Sequence, residues 1–317
     1  MQQMIDVVHR TPLTTSTSIN QLTGKQVYFK MENQQKTGAF KIRGATNKIS
    51  QLSESEKRRG VIAASAGNHA QGVALAATKR GIPSKIFMPE KTPAAKAQAT
   101  KGYGAQIVLT GESFQEAYEA AMEEMKRENS VFVHPFDDTD VMAGQGTIAL
   151  EMLQQEPGLD TIIVPVGGGG LISGIAVAAK NINPNIKIIG VQAEGACPTF
   201  NRFYQKGASS AKKVSTIADG IAVKKPGIQT FPLIQKYVDD IVTVSDEDIA
   251  GAMVYMLERS KTLIEGAGAS AFAALLAHGH RIQSKHCGII VSGGNMDISK
   301  MPHIQHLAQQ NQLSCLA

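Results

Sequence analysis

Thr161-Ile-Ile-Val-Pro-Val-Gly-Gly-Gly-Gly-Leu171 joins an apolar run to four consecutive glycines and then to a second apolar segment. The order is that of a buried strand, a loop without side chains and the start of a helix. Glycine lets the backbone approach a ligand closely and visit positive φ without strain. The free amides and dipole of a helix N-terminus attract anions. The stretch therefore reads as a phosphate cradle at the carboxyl end of a strand, since a surface linker would not lie between a strand-like run and an alanine-rich helix.

The same rhythm extends outward in both directions. Val61-Ile-Ala-Ala64, Lys85-Ile-Phe-Met88 and Gln106-Ile-Val-Leu109 each precede a helical pattern, the last one over Ser113 to Arg127. Val131-Phe-Val133, Ile162 to Val166, Ile186 to Val191, Ile241 to Val244 and Gly288 to Val291 continue it, and Ser245-Asp-Glu-Asp248 forms a capping box ahead of a later helix. Short β-branched strands alternating with helices predict an α/β fold with parallel sheets covered on both faces. A chain of 317 residues exceeds one comfortable core. With no linker and no repeat, two interleaved domains are expected: a large one at 1–50 and 137–317, and a small one at 51–136.

Apolar residues make up 43% and charged residues 19%, as in a globular protein. The net charge of +5 is spread over short, distant clusters such as Lys57-Arg58-Arg59, Lys212-Lys213 and Lys224-Lys225. They read as solvated surface, so no nucleic-acid partner is expected, while a mild positive field favours an anionic small molecule. Cys197, Cys287 and Cys315 are odd in number and lack CxxC spacing, which points to reduced thiols and a cytoplasmic location. The N-terminal segment lacks a signal-peptide core, and no apolar stretch is long enough for a bilayer, so no membrane partner is expected. His278, His280, His286, His303 and His306 lack well-spaced ligand pairs and read as surface histidines, leaving no metal site.

Three polar or glycine-rich loops follow strands: Ser65-Ala-Gly-Asn-His69, the glycine run, and Ser292-Gly-Gly-Asn295. In open α/β sheets such loops gather ligands, so one composite site is expected. A nucleoside triphosphate site needs Lys and then Ser or Thr after the last glycine, where this chain has Leu171-Ile172. A dinucleotide site needs an acid closing the next strand, which here ends in Val191-Gln192. The phosphate must therefore belong to another kind of molecule. Thr37-Gly-Ala-Phe-Lys-Ile-Arg-Gly44 sets Lys41 among apolar residues, which favour a neutral, nucleophilic amine able to form a Schiff base.

On these residues the chain resembles the fold-type II pyridoxal-phosphate enzymes, most closely the branch of threonine dehydratases (threonine ammonia-lyases) and serine racemases. The matching segments are Gly38-Ala-Phe-Lys-Ile-Arg-Gly-Ala45, Ser65-Ala-Gly-Asn-His-Ala-Gln-Gly72, His134-Pro135, Gly167 to Leu171 and Ser292 to Asn295. The resemblance runs from Arg10-Thr-Pro-Leu13 to Asn295 and implies two interleaved, open, twisted, mainly parallel sheets flanked by helices, as in tryptophan synthase β, the large domain binding the cofactor and the small one mobile. It implies pyridoxal 5'-phosphate joined to Lys41, which then acts as the general base on Cα. Gly167, Gly168, Gly169, Gly170 and the Leu171 amide would hold the phosphate, Asn68 the ring oxygen O3′, and Ser292 would face the pyridine nitrogen, with Phe40 packed beside the ring. The loop of Ser65, Ala66, Gly67, Asn68 and His69 would receive the carboxylate of a small amino-acid substrate.

A neutral hydroxyl at Ser292 does not stabilise a pyridinium, so β-elimination of L-threonine to 2-oxobutanoate and ammonia, and of L-serine to pyruvate, suits the site better than transamination. Serine racemases carry a serine where this chain has Ala66, which moves no proton, so racemisation is the alternative rather than the main expectation. Ala39, in place of a serine, is shared with some threo-3-hydroxyaspartate dehydratases and keeps that substrate as a second alternative. Cysteine-synthase-like β-replacement fits less well, because those enzymes show Thr-Ser-Gly-Asn-Thr-Gly where this chain has Ser65-Ala-Gly-Asn-His-Ala70. Gln192 and Pro198 stand where the racemases have acidic metal ligands, Glu194 remains, and a monovalent cation held by carbonyls is compatible with the sequence. The chain ends soon after Ile304 to Gln309, which implies a short form without a C-terminal regulatory domain, and the family implies a homodimer or homotetramer.

Overall fold

The computed structural model describes Met4 and residues 6–310, so Cys315 lies outside the described residues. The chain divides into two compact units, one of Met1–His9 and Gln35–Gln145, the other of Arg10–Gln34 and Gly146–Ala317. Each owns one sheet, and the larger is assembled from two stretches of chain, as interleaving requires.

The smaller unit holds β3 (Val61–Ala64), β4 (Ser84–Met88), β5 (Gln106–Leu109) and β6 (Val131–Phe132) in the order β5-β4-β3-β6, all parallel. Its helices are α2 (Lys41–Ser50), α3 (Glu54–Arg59), α4 (Asn68–Thr78), α5 (Ala94–Gly102) and α6 (Phe114–Glu128), and the division falls inside α7 (Thr139–Gln155). β3 is buried along its whole length, which is why Val61-Ile-Ala-Ala64 lacks alternation. Ser113 caps α6 through a capping box with Glu116.

The larger unit holds β1 (Leu13–Thr15), β2 (Gln26–Met31), β7 (Thr161–Pro165), β8 (Lys187–Ala193), β9 (Asp240–Val244) and β10 (His286–Val291). They run β1-β2-β10-β7-β8-β9, parallel except for the β1–β2 pair. Its helices are α1 (Thr17–Thr23), α8 (Gly170–Ile182), α9 (Pro198–Phe203), α10 (Thr230–Tyr237), α11 (Asp246–Ser260), α12 (Gly266–His278) and α13 (Met301–Gln310). The capping box at Ser245 is present, with the Asp248 amide 3.0 Å from Ser245 Oγ. No helix among the described residues is long and apolar enough to cross a membrane.

The units differ from the expected boundaries at residues 1–9, 35–50 and 137–145, which pack with the smaller sheet. The reason is the buried face of α2: Ile42, Ala45 and Ile49 share one core with Val73, Ile86, Met88, Val133 and Val141. Burying an isoleucine contributes roughly 1.5–3 kcal/mol, so these side chains fix the membership of α2, and Lys41 belongs to the smaller unit. β1 and β2 were not expected. Lys30 interrupts the apolar run of β2, yet it is fully buried, its ammonium held by Glu151 Oε2 at 2.6 Å, the Thr11 carbonyl at 2.8 Å and Gln155 Oε1 at 3.0 Å.

Candidate active site

In the smaller unit the site residues collect at the carboxyl ends of two neighbouring parallel strands. β3 runs into Ser65–Gly67 and the start of α4, and β6 runs into 133–138. Lys41 is the first residue of α2, preceded by half-buried Phe40, and its Nζ donates to the Pro135 carbonyl at 2.9 Å while lying 5.2 Å from the centre of the Phe40 ring. The chain reaches this position through Gly38, whose φ of +71° demands glycine. Two helices press close to the start of α2. A Cβ on Gly72 of α4 would stand 3.0 Å from the Ile42 amide, and one on Gly44 would stand 2.8 Å from the Val141 carbonyl. Gln145 Oε1 accepts the Gly44 amide at 3.1 Å, so α7 supplies a side-chain acceptor to the first turn of the helix that carries Lys41.

The Ser65–His69 loop is folded upon itself. Ser65 Oγ accepts the Gly67 amide at 3.2 Å, and Gly67 occupies the cap position of α4. Asn68, half-buried, is the first helical residue. His69 is buried, and its Nε2 donates to the Val133 carbonyl at 2.8 Å, so the ring is spent on structure. Burial, then the nearby Lys41 charge, pushes its pKa down to about 3 against the Val133 bond, so the imidazole is neutral. Ala66, half-buried, packs against the core of this unit and offers no proton.

In the larger unit the glycine run and Ser292 leave the ends of adjacent parallel strands, β7 and β10. Gly169 has φ +98°, and a Cβ there would lie 2.8 Å from both Thr230 Oγ1 and Ile234 Cδ1. The Gly168 carbonyl is held from behind, accepting Thr230 Oγ1 at 2.7 Å and the Gly227 amide at 3.1 Å. The first bond of α8 runs from the Ser173 amide to the Gly169 carbonyl at 2.9 Å, so the amides of Gly170, Leu171 and Ile172 precede the helical ladder, and the first turn carries no acid. A loop that requires glycine at 169, with the Gly168 and Gly169 carbonyls bonded within the protein and a helix dipole behind its amides, fits a phosphate monoester.

Gln192, read in the sequence only as a missing acid, is buried and structural. Its Nε2 donates to the Val166 carbonyl at 3.1 Å and its Oε1 accepts the Phe200 amide at 2.8 Å, tying the strand before the cradle to α9. Ser292 follows β10 and is 3% exposed, and the next carbonyl, Gly293, accepts the Glu265 amide at 3.1 Å at the start of α12. Of the histidines read as surface residues, His278 and His286 are partly buried: the first reaches the Thr243 carbonyl at 2.9 Å and the second stacks on Tyr28. Lys41, the Ser65–His69 loop and His134-Pro135 thus meet in one unit, the glycines and Ser292 in the other. Sequence reading missed Thr230, Gln145 and the ring of His134. Only the His-Pro pair gave any local signal.

The family described as pyridoxal-phosphate dependent enzyme matches residues 5–293. The chain is 51% identical over 299 residues to the L-threonine ammonia-lyase of Thermotoga maritima, covering 94% of this chain and 74% of that protein. It is similar to the processed threonine deaminase isoform 2 of Solanum lycopersicum, with TM-score 0.94 and 38% identity over 97% of this chain and 85% of the other. Maize serine racemase superposes with TM-score 0.91 and 40% identity, over 98% and 96% of the two chains. Both solved folds accompany sequence identity well above the level at which a fold alone is shared, and the glycine cradle and the lysine at the start of α2 have a common explanation: the chain belongs to the pyridoxal-phosphate dependent enzymes.

Proposed function

We propose that the protein deaminates L-threonine to 2-oxobutanoate and ammonia, eliminating the β-hydroxyl as water and regaining one water when the nitrogen leaves, and converts L-serine to pyruvate in the same way. The observation that supports this most is Lys41, sequestered between Phe40 and the Pro135 carbonyl, in a chain half identical to an enzyme named L-threonine ammonia-lyase.

Pyridoxal phosphate, when bound, supplies an electron sink for the bond broken at the substrate Cα. The chain supplies the rest. Gly167 to Gly170 and the Leu171 amide would hold the phosphate, Asn68 the ring oxygen O3′, and Phe40 would pack beside the ring. The Ser292 hydroxyl would lie toward the pyridine nitrogen and bring no charge to it. The Ser65 hydroxyl and the amides of Ala66 to His69 receive the substrate carboxylate. Lys41 Nζ takes the Cα proton, the β-hydroxyl leaves as water after protonation, and the released enamine tautomerises and exchanges its nitrogen for the oxygen of water. Methyl-bearing Ala66 provides no second acid, so the proton does not return to the opposite face of Cα, which sets dehydration above racemisation.

The similarity to maize serine racemase keeps racemisation as the second reading. A cytoplasmic homodimer or homotetramer, with a monovalent cation on backbone carbonyls, completes the proposal. The test is a comparison of initial rates on L-threonine, L-serine and L-threo-3-hydroxyaspartate with the holoenzyme, scoring oxo acid, ammonia and D-serine. Oxo acid from threonine in step with ammonia is expected. D-serine as the main product would replace this reading with the second one, and a preference for hydroxyaspartate would reassign the substrate.

A further inference from the structure

His134 has a role that the chemistry above does not use. Its Nδ1 faces two backbone amides, Phe136 at 3.2 Å and Asp137 at 2.7 Å. Both are donors, so Nδ1 is the acceptor and carries no proton. The two bonds close 134–137 into a tight turn. Before the turn, the Val133 carbonyl accepts a hydrogen bond from His69 Nε2 at 2.8 Å and the Val133 amide donates to the Ile62 carbonyl at 2.8 Å. After it, Asp138 Oδ1 accepts the Asp140 and Val141 amides at 2.8 and 3.1 Å, and Lys48 Nζ lies 2.8 Å from Asp138 Oδ2. Between these anchors stands Pro135, whose carbonyl receives Lys41 Nζ at 2.9 Å.

We propose that His134 is a positioning residue for Lys41: by accepting the Phe136 and Asp137 amides on an unprotonated Nδ1, it fixes the Pro135 carbonyl as the receptor of the Lys41 amine whenever that amine is not bonded to the cofactor. The inference rests on the reading of Lys41 as the cofactor lysine. An ammonium that has just taken the substrate proton needs an acceptor that orients it and does not compete for the proton. An anchored carbonyl is such a group. A proton on His134 Nδ1 would set a donor against two donors, and the turn would have to open.

The groups that bear on the charge of His134 are few. Burial disfavours its protonated form, Asp137 and Asp138 favour it, and Lys41 opposes it, with His69 the other imidazole in electrostatic contact. The Phe136 ring meets the imidazole edge-on at 4.6 Å and the Phe132 ring at 6.2 Å. Burial prevails, the pKa lies below its ordinary value of 6.5, and the neutral ring persists at neutral pH.

The test uses the full-length holoenzyme with two variants. His134→Asn keeps a neutral acceptor for amides two and three residues on, and His134→Leu keeps none. Measured are kcat and KM between about pH 5 and 8, hydrogen exchange at the Phe136 and Asp137 amides, and thermal melting. His134→Leu is expected to lose about tenfold in kcat with KM changed less than about twofold, and to exchange both amides faster. His134→Asn is expected to keep kcat within about threefold and to lose the part of the acid-side fall that belongs to the imidazole, below about pH 6.5. A folded His134→Leu with wild-type kcat would overturn the inference, as would a His134→Asn as slow as His134→Leu or one with an unchanged acid limb. If His134→Leu does not fold, His134→Asn decides alone. A wild-type chain that takes up no pyridoxal phosphate overturns the reading of Lys41 and this inference with it, whereas normal uptake with unaltered variants overturns this inference only.

Discussion

His69 Nε2 donates to the Val133 carbonyl across 2.8 Å inside the smaller unit, joining the first turn of α4 to the residue that follows β6. An imidazole so placed has to stay neutral. Its pKa of about 3 in the fold, against an ordinary 6.5, fixes the direction of its effect. As pH falls below about 6.5 the unfolded chain takes up a proton that the folded chain refuses, so stability present at neutral pH is lost progressively toward about pH 3. The unfolding free energy from urea titrations at a series of pH values should fall by about 1.4 kcal/mol per pH unit below pH 6 from this residue, and His69→Gln should flatten that part of the slope. A wild-type midpoint constant from pH 7 to 5 would contradict the assignment.

The cradle predicts a cofactor-affinity effect without contact between the altered side chain and the cofactor. Thr230→Val removes the hydroxyl held at 2.7 Å by the Gly168 carbonyl while preserving the shape of the side chain. A hydrogen bond is worth about 1 kcal/mol, so the Kd for pyridoxal phosphate, followed by absorbance titration, should rise roughly five- to tenfold. Gly169→Ala should do worse, because the methyl meets Thr230 and Ile234 and φ is +98°. It should cost about 1–3 kcal/mol of stability and be visible in thermal melting.

Gly44→Ala tests the close crossing beside Lys41. The added methyl lies 2.8 Å from the Val141 carbonyl and meets Gln145, which must move. A backbone carbonyl does not yield, so α2 must shift, at a cost of about 1–3 kcal/mol. Turnover should fall more than KM rises, because the shift displaces Lys41 and not the Ser65–His69 loop. Unchanged kcat and melting temperature would show that the crossing is looser than the structure has it.

Ala66→Ser restores a hydroxyl to the position that lacks a proton carrier. D-Serine should appear from L-serine at a small but measurable rate, while threonine deamination drops by a few fold. Chiral chromatography of the product mixture checks it. No D-serine from a variant that still deaminates would separate racemisation from this position.

Much of the architecture was legible because burial dictates it. Strands buried on both faces must be continuous apolar runs, so Val61–Ala64 and the run before the glycines announced themselves. β2 did not, because its Lys30 is compensated by Glu151, more than a hundred residues away, and no local pattern reports that pairing. The unit boundary was misplaced for a similar reason: Ile42, Ala45 and Ile49 show that α2 has an apolar face but not which core receives it. Lys41, Asn68, the glycines and Ser292 were legible as residue types with a chemistry. Thr230, Gln145 and the part played by the His134 ring were not, since each acts on a backbone group that a sequence does not display.

The central assignment is Lys41 as the residue that carries the cofactor. Full-length protein saturated with pyridoxal phosphate, reduced with borohydride and digested, should yield the pyridoxyl mass on the peptide containing Lys41 at near-unit stoichiometry, with none on that peptide from Lys41→Ala. A pyridoxyl group fixed to another lysine, or no stable label in a folded wild-type chain, would contradict it.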